Sequence, residues 1–340
     1  MNLFINGLTD EEVITSYNFA RNSDFIFSEI LTIEKFSKLN QNNLVKVVES
    51  SNQVLYFNKN INISENDIIF CNTYFVKDLF KILKKVKNLK NIKLITNQTD
   101  QDITKNLFKH KPDCISKWYS INVNHKSDDL IPIPLGLSND HPKNLNKEHF
   151  SERIGLQEKQ DKIYLNFEEN TNYIERNKII KQYKNKEYVF YDKPNLDLET
   201  YIKNLKKFKF IFCPPGNGID THRTWEAIYA GSIPIVKNDL TMSTLDNLNS
   251  ILVEKFSSIN RKMLKNYEDK KQNNEKLNIN YWINLIRENK ISSQQDFSFE
   301  INEENINEIT NNYFKKIKKE SYVKSFKTFQ RKLLRKISFV

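Results

Sequence analysis

Small and turn-forming residues are scarce in this chain. Its 340 residues include six glycines, eight prolines, three alanines and three cysteines. Average glycine usage is about 7%, so glycine is present at roughly a quarter of the ordinary level. The cysteines, Cys71, Cys114 and Cys213, are far apart and odd in number. That excludes a disulfide framework and a zinc pattern, and makes a reducing, cytoplasmic location the default expectation. No apolar run approaches the roughly 18 residues of a membrane-spanning helix. Residues 1–6 have no basic stretch and no sustained apolar core, so no signal peptide is expected. The histidines at 110, 125, 141, 149 and 222 show no i, i+4 pair or other metal spacing.

Charge is unevenly placed. The net charge is +11, but residues 313–340 carry ten Lys/Arg and one acid, Glu320. The rest of the chain is close to neutral, so nucleic-acid binding is not expected. In the tail, Tyr322, Phe326, Phe329, Leu333 and Ile337 recur at helical spacing among Lys324, Lys327, Arg331, Lys332, Arg335 and Lys336. Two readings stand: an interfacial helix on an anionic membrane surface, or a helix packed on the protein.

Residues 45–48, 67–71 and 92–96 read as short buried strands, with a helix over 76–86. Residues 128–137 read as extended or turn-like. After a polar stretch at 139–162, alternation restarts: strands at 162–167, 188–191, 208–213, 232–236 and 250–253, and helices at 173–183, 198–207 and 221–229. Strands alternating with helices predict an α/β fold of two Rossmann-like domains with mostly parallel sheets facing a cleft. The expected boundaries are 1–150, 161–312 and a basic tail, 313–340.

The scarce residues gather in one place. Residues 214–234 hold three of the six glycines, three of the eight prolines and two of the three alanines. An apolar strand ending at Cys213 leads through Pro214-Pro215-Gly216-Asn217-Gly218 into a helix, with Asp220 as expected N-cap. A helix N-terminus outside the carboxyl end of a parallel strand favours anions. Gly216 and Gly218 would let a ligand approach the backbone. Arg223 suits a diphosphate, and Glu226, three residues on, suits ribose or sugar hydroxyls. The alternative is an exposed Arg223–Glu226 helical ion pair. His222 either touches phosphate or serves the helix start.

The run Cys213-Pro214-Pro215-Gly216…Arg223…Glu226-Ala227-Ile228…Gly231-Ser232-Ile233-Pro234-Ile235-Val236 closely resembles the donor-binding motif of exostosin-type glycosyltransferases (family 47-like). The resemblance implies a GT-B fold and a nucleotide-sugar donor as co-substrate, without a separate cofactor. It also implies inverting transfer to a glycan or other hydroxyl acceptor, with no required metal. Asn166-Phe167, with Arg176 on the next helix, resembles the opening of that family's second domain, where an arginine faces the donor phosphates. The implied donor set is Asn166, Arg176, Pro215, Gly216, Asn217, Gly218, Asp220, Thr221, His222, Arg223 and Glu226, with Arg223 also acting in catalysis. The Asn217–His222 stretch departs from many exostosins, which leaves sugar and acceptor open.

Inverting transfer needs a general base on the acceptor hydroxyl. The candidates are Asp100 and the Asp140-His141 pair, with helix capping as the alternative for Asp100. Trp118, Tyr119 and Asn122 suit an acceptor sugar or the core; Asp140 and His141 also count as acceptor-side candidates. Two competing functions remain. Asp100-Gln101-Asp102 has the D-x-D form of metal-dependent GT-A enzymes, and the tail suits a non-catalytic membrane- or polyanion-binding protein with a transferase-like core.

Overall fold

A computed structural model describes residues 7–139, 145–150, 158–270, 273–292 and 295–337, with side chains as far as residue 323. The first sheet has seven strands. Their spatial order is Leu130–Pro132, Ile115–Ser120, Ile92–Asn97, Ile68–Asn72, Phe25–Thr32, Gln53–Asn58 and Leu44–Glu49. The first five are parallel; the last two join antiparallel at one edge. Residues 45–48 therefore form a half-buried edge rather than a buried strand. The second sheet runs Val189–Tyr191, Gln160–Leu165, Phe208–Phe212, Ile233–Lys237, Ile251–Val253, all parallel. The expected α/β class with two mostly parallel, Rossmann-like sheets is what the chain adopts. In the second sheet the strand order reverses between Gln160–Leu165 and Phe208–Phe212. Open α/β sheets bind ligands in the crevice above such a pair.

Local chemistry explains the elements around that crevice. Strand Phe208–Phe212 reads Phe-Lys-Phe-Ile-Phe and is buried except at Lys209, as a sheet covered on both faces requires. Helix Leu198–Lys207 starts at Asp197, whose carboxylate accepts from the Thr200 N–H at 2.7 Å, and ends on Lys206 and Lys207. Helix His222–Tyr229 stops because Gly231 takes φ 74°. The Gly231 N–H then reaches Ile228 O at 2.9 Å and the Ser232 N–H reaches Ala227 O at 2.8 Å.

One apolar cluster joins the two sheets. It includes Ile14, Phe19 and Ile95 from the first part of the chain, Trp225 and Ile228 from the second, and Trp282, Ile283 and Ile286. The last three lie on helix Ile279–Arg287, whose Arg287 pairs with Asp24 at 3.1 Å. Strand Asp296–Glu300 pairs antiparallel with Asn60–Ser64 in a separate two-stranded sheet, so the chain returns to the first half before residue 312. Helix Glu303–Ile337 follows, with Ile309 buried and Tyr313 stacked on Phe75 at a centroid distance of 5.6 Å. Tyr313, expected to open the tail, thus sits within a packed helix. Tyr322 and Val323 are exposed; the side chains of Phe326, Phe329, Leu333 and Ile337 lie outside the described residues. Among the described residues no helix is long and apolar enough to cross a membrane.

Candidate functional site

The Cys213 N–H donates to Ile235 O at 2.9 Å, one residue beyond strand Phe208–Phe212. The carbonyls of Pro214 and Pro215 then turn to Arg176, on helix Tyr173–Tyr183. Its Nη2 donates to Pro214 O at 3.2 Å, Nε to Pro215 O at 3.0 Å and Nη1 to Glu168 O at 2.7 Å. A Cβ on Gly216 would lie 3.1 Å from Arg176 Nη2, and one on Gly218 would lie 2.8 Å from Asn122 Nδ2. Both glycines pack against these side chains, and at Gly218 a Cβ would fit only if the Asn122 carboxamide shifted. Both glycines also border the adjoining cleft.

Asp220 is not the helix N-cap; that position is Thr221, which makes no side-chain capping bond. The buried Asp220 carboxylate instead joins the two halves of the chain. Its Oδ1 accepts from the Thr221 N–H at 2.8 Å, and its Oδ2 from the Leu135 N–H at 3.0 Å and from Trp225 Nε1 at 2.8 Å. Burial pushes its pKa up, and these bonds pull against that rise. His222 Nδ1 lies 2.9 Å from Gly136 O, and as a donor it ties the helix start to the same first-half loop.

A cleft of about 540 Å³ opens beside this turn. Thr171, Arg176, Gly216, Asn217, Gly218, Asp220, Thr221 and His222 line it from the second half, and Tyr17, Lys35, Tyr74, Gln98, Asp100 and Asn122 from the first. Asp100 caps no helix: the next one, Lys105–Phe108, is capped by Thr104. Asp102 is not among the lining residues, and its carboxylate accepts from Asn124 Nδ2 at 3.4 Å. Among the described residues no group of three or more His, Cys, Asp or Glu side chains is placed to hold a metal ion.

The remaining expected donor residues lie outside the cleft lining. Asn166 is buried and donates to Lys193 O at 2.8 Å. Pro215 lines a smaller cavity, about 190 Å³, with Asn172, Glu175 and Lys237. Arg223 stands over the Tyr201 ring at 5.2 Å, and the Tyr201 hydroxyl donates to Glu226 Oε2 at 2.7 Å. Glu226 is buried, so the exposed helical ion pair does not form.

Two cations are concentrated here, with the buried Glu226 acting on Arg223 and Glu168 and Glu175 acting on Arg176. Arg223 Nη1 is buried without a hydrogen-bond partner. Burial and the Arg223 charge lower the Arg176 pKa to about 10, which leaves it a cation at neutral pH. The carboxylate of Glu175, next to Arg176, pairs instead with Lys237 at 3.4 Å. The hydroxyl of Thr171 is also buried without a partner. Unsatisfied buried donors beside paired cations suit an anion.

On the acceptor side, Trp118 corrects the expectation. It is fully buried, stacked on Phe108, with its indole N–H on Thr96 Oγ1 at 2.8 Å. Tyr119 is also core. Asn122 lines the cleft, but its carboxamide holds the glycine turn. Asp140 and His141 lie outside the described residues. Sequence reasoning missed Tyr17, Tyr74, Thr171 and Tyr201; each is a lone polar or aromatic residue with no periodicity or motif to mark it.

No curated protein matches the chain. The family model for the RXYLT1 C-terminal domain matches residues 143–314, half of the chain, covering the second sheet, the glycine turn and helix His222–Tyr229. The chain therefore belongs to the RXYLT1 C-terminal domain family, an exostosin-related glycosyltransferase family.

Proposed function

We propose that the protein transfers a sugar from a nucleotide-sugar donor to a glycan or other hydroxyl acceptor, by a GT-B-type, inverting, metal-independent reaction. Residues 161–312 supply the donor side and residues 1–150 the acceptor side. One observation carries this reading: the Gly216–Gly218 turn lies at the reversal of strand order, with the cleft-lining Arg176 and the incompletely bonded Arg223 beside it. A diphosphate is the anion that two adjacent guanidiniums and a helix start favour.

In this scheme the acceptor oxygen attacks the anomeric carbon as that carbon's bond to the diphosphate oxygen breaks. The acceptor proton passes to Asp100 on the facing wall, and the electron pair leaves with the nucleoside diphosphate. Negative charge grows on that leaving group, where Arg176 and Arg223 oppose it. The test is thermal unfolding with a panel of nucleoside diphosphates and nucleotide sugars. A ligand at 100 times its dissociation constant adds about 2.7 kcal/mol, so a clear rise in melting temperature is expected for at least one base. No shift with any of them would overturn the proposal.

A further inference from the structure

The acceptor side of the cleft includes a residue that the C-terminal helix grips. Tyr74 follows strand Ile68–Asn72 and lines the cleft together with Asp100. Its phenol O–H donates to Glu320 Oε2 at 2.7 Å. Lys316 Nζ lies 4.8 Å from its ring centre and donates to its carbonyl oxygen at 3.4 Å. Tyr313 meets the ring edge-on at 5.8 Å. Positions 313, 316 and 320 fall on one helix face, so a single face surrounds Tyr74.

The helix is also attached elsewhere. Ile309 is already buried, Asn312 Nδ2 donates to Asp78 Oδ1 at 3.0 Å, and Lys81 pairs with Glu308 at 2.6 Å. The grip adds a charge-assisted hydrogen bond to a side chain that borders the cleft. A phenol fixed in this way presents its ring at one place and angle, which a mobile tyrosine does not. Burial and the Glu320 carboxylate also raise the Tyr74 pKa, so the phenol stays a donor. Lys316 and Glu320 lie past residue 314, where the family match ends.

We infer that Glu320 and Lys316 are positioning residues for the acceptor: they hold Tyr74 as a wall of the cleft, and the C-terminal helix thereby takes part in acceptor selection. This rests on the transferase reading of the cleft. The test uses the full chain, a nucleotide sugar that it hydrolyses, and p-nitrophenyl glycosides as acceptor probes. Glu320→Leu and Tyr74→Phe should each raise the acceptor KM about tenfold, the scale of one lost charge-assisted bond. In Glu320→Leu, hydrolysis of the donor by water and kcat at saturating acceptor should stay near normal. Glu320→Gln keeps an accepting oxygen and should restore KM, and the double variant should be no worse than either single. Unchanged acceptor KM in both singles, or donor hydrolysis falling in step with transfer, would overturn the inference. Backbone hydrogen exchange over residues 72–76 separates it from the transferase reading. If no donor is hydrolysed, that reading fails and exchange alone decides the grip. Faster exchange in Glu320→Leu than in Glu320→Gln supports it, and equal exchange refutes it.

Discussion

Asn122 pins the turn that contains Gly218. Its Oδ1 accepts from the Ile219 N–H at 2.8 Å and from the Asp220 N–H at 3.0 Å, while its Nδ2 stands where a Gly218 side chain would be. Asn122 itself sits at φ 53°, a left-handed conformation that asparagine tolerates better than most residues. A first-half side chain thus sets the shape of a second-half loop. Asn122→Ala leaves the buried Asp220 N–H and the half-buried Ile219 N–H without their acceptor, at about 1–3 kcal/mol for the buried one. The expected result is a lower urea midpoint together with weaker protection by nucleoside diphosphate in thermal unfolding. Gly218→Ala should do the same by displacing Asn122. Unaltered stability and protection in both variants would show that the contact does not shape the turn.

The basic tail is proposed to attach the protein peripherally to an anionic membrane. Glu320 and the residues before it grip the first half of the chain, whereas Tyr322 and Val323 are exposed. Deleting residues 322–340 should therefore release the protein from phosphatidylserine vesicles and leave nucleotide protection intact. Vesicle binding by the truncated protein equal to that of the full chain contradicts the proposal.

Lys316 gives the fold a dependence on pH. Burial, with a smaller push from Lys77, lowers its pKa to about 8, against the pull of Glu320 and Asp78. An unfolded lysine titrates near 10.4, roughly. Below about pH 8 both states hold the proton and the burial cost is present in full. Between there and roughly pH 10.4 the unfolded state binds more protons, so stability rises with pH. Lys316→Met should flatten that rise, read as urea midpoints from about pH 7.5 to 9.5, below the ordinary tyrosine range. Equal slopes for the variant and the natural chain would remove Lys316 from the account.

Metal independence is proposed because guanidiniums would carry the donor charge. Asp100 borders the cleft while Asp102 turns to Asn124, which is not how a D-x-D pair shares a cation. Transfer should survive EDTA. Loss on chelation, restored by manganese or magnesium, would establish the metal-dependent reading in its place.

Much of the second half was legible in the sequence. The helices at 173–183 and 198–207 match the structure at both ends; Asp197 and a clear apolar stripe mark the second, whereas the first has little periodicity, with Ile174 exposed and Arg176 buried. Strand Phe25–Thr32 was not legible: its buried Ser28 and Glu29 break the apolar run, and Glu29 is held by Arg21 and Tyr56, which no local pattern reveals. Trp118 shows the same limit from the other side. An aromatic residue near a loop suits sugar stacking or the core equally well until its neighbours are known. The glycine turn stands out by its rarity, but the packing of Arg176 and Asn122 against it is a long-range contact. The return of Asp296–Glu300 to Asn60–Ser64 is likewise a pairing between distant segments.

The central claim is that Arg176 and Arg223 serve one diphosphate. Arg176 already makes two bonds to carbonyls of the turn and one to Glu168 O, whereas Arg223 keeps a buried nitrogen without a partner. The most direct measurement is donor turnover in the natural chain, Arg176→Ala, Arg223→Ala and the double variant, with folded stability followed in each. Removing one such donor costs about 3 kcal/mol of barrier, roughly a hundredfold in rate. Each single variant should lose about that much while remaining folded, and the double change should depart from the sum because both groups act on one charge centre. Near-normal turnover in a folded Arg223→Ala, or strict additivity of the two losses, would contradict the claim.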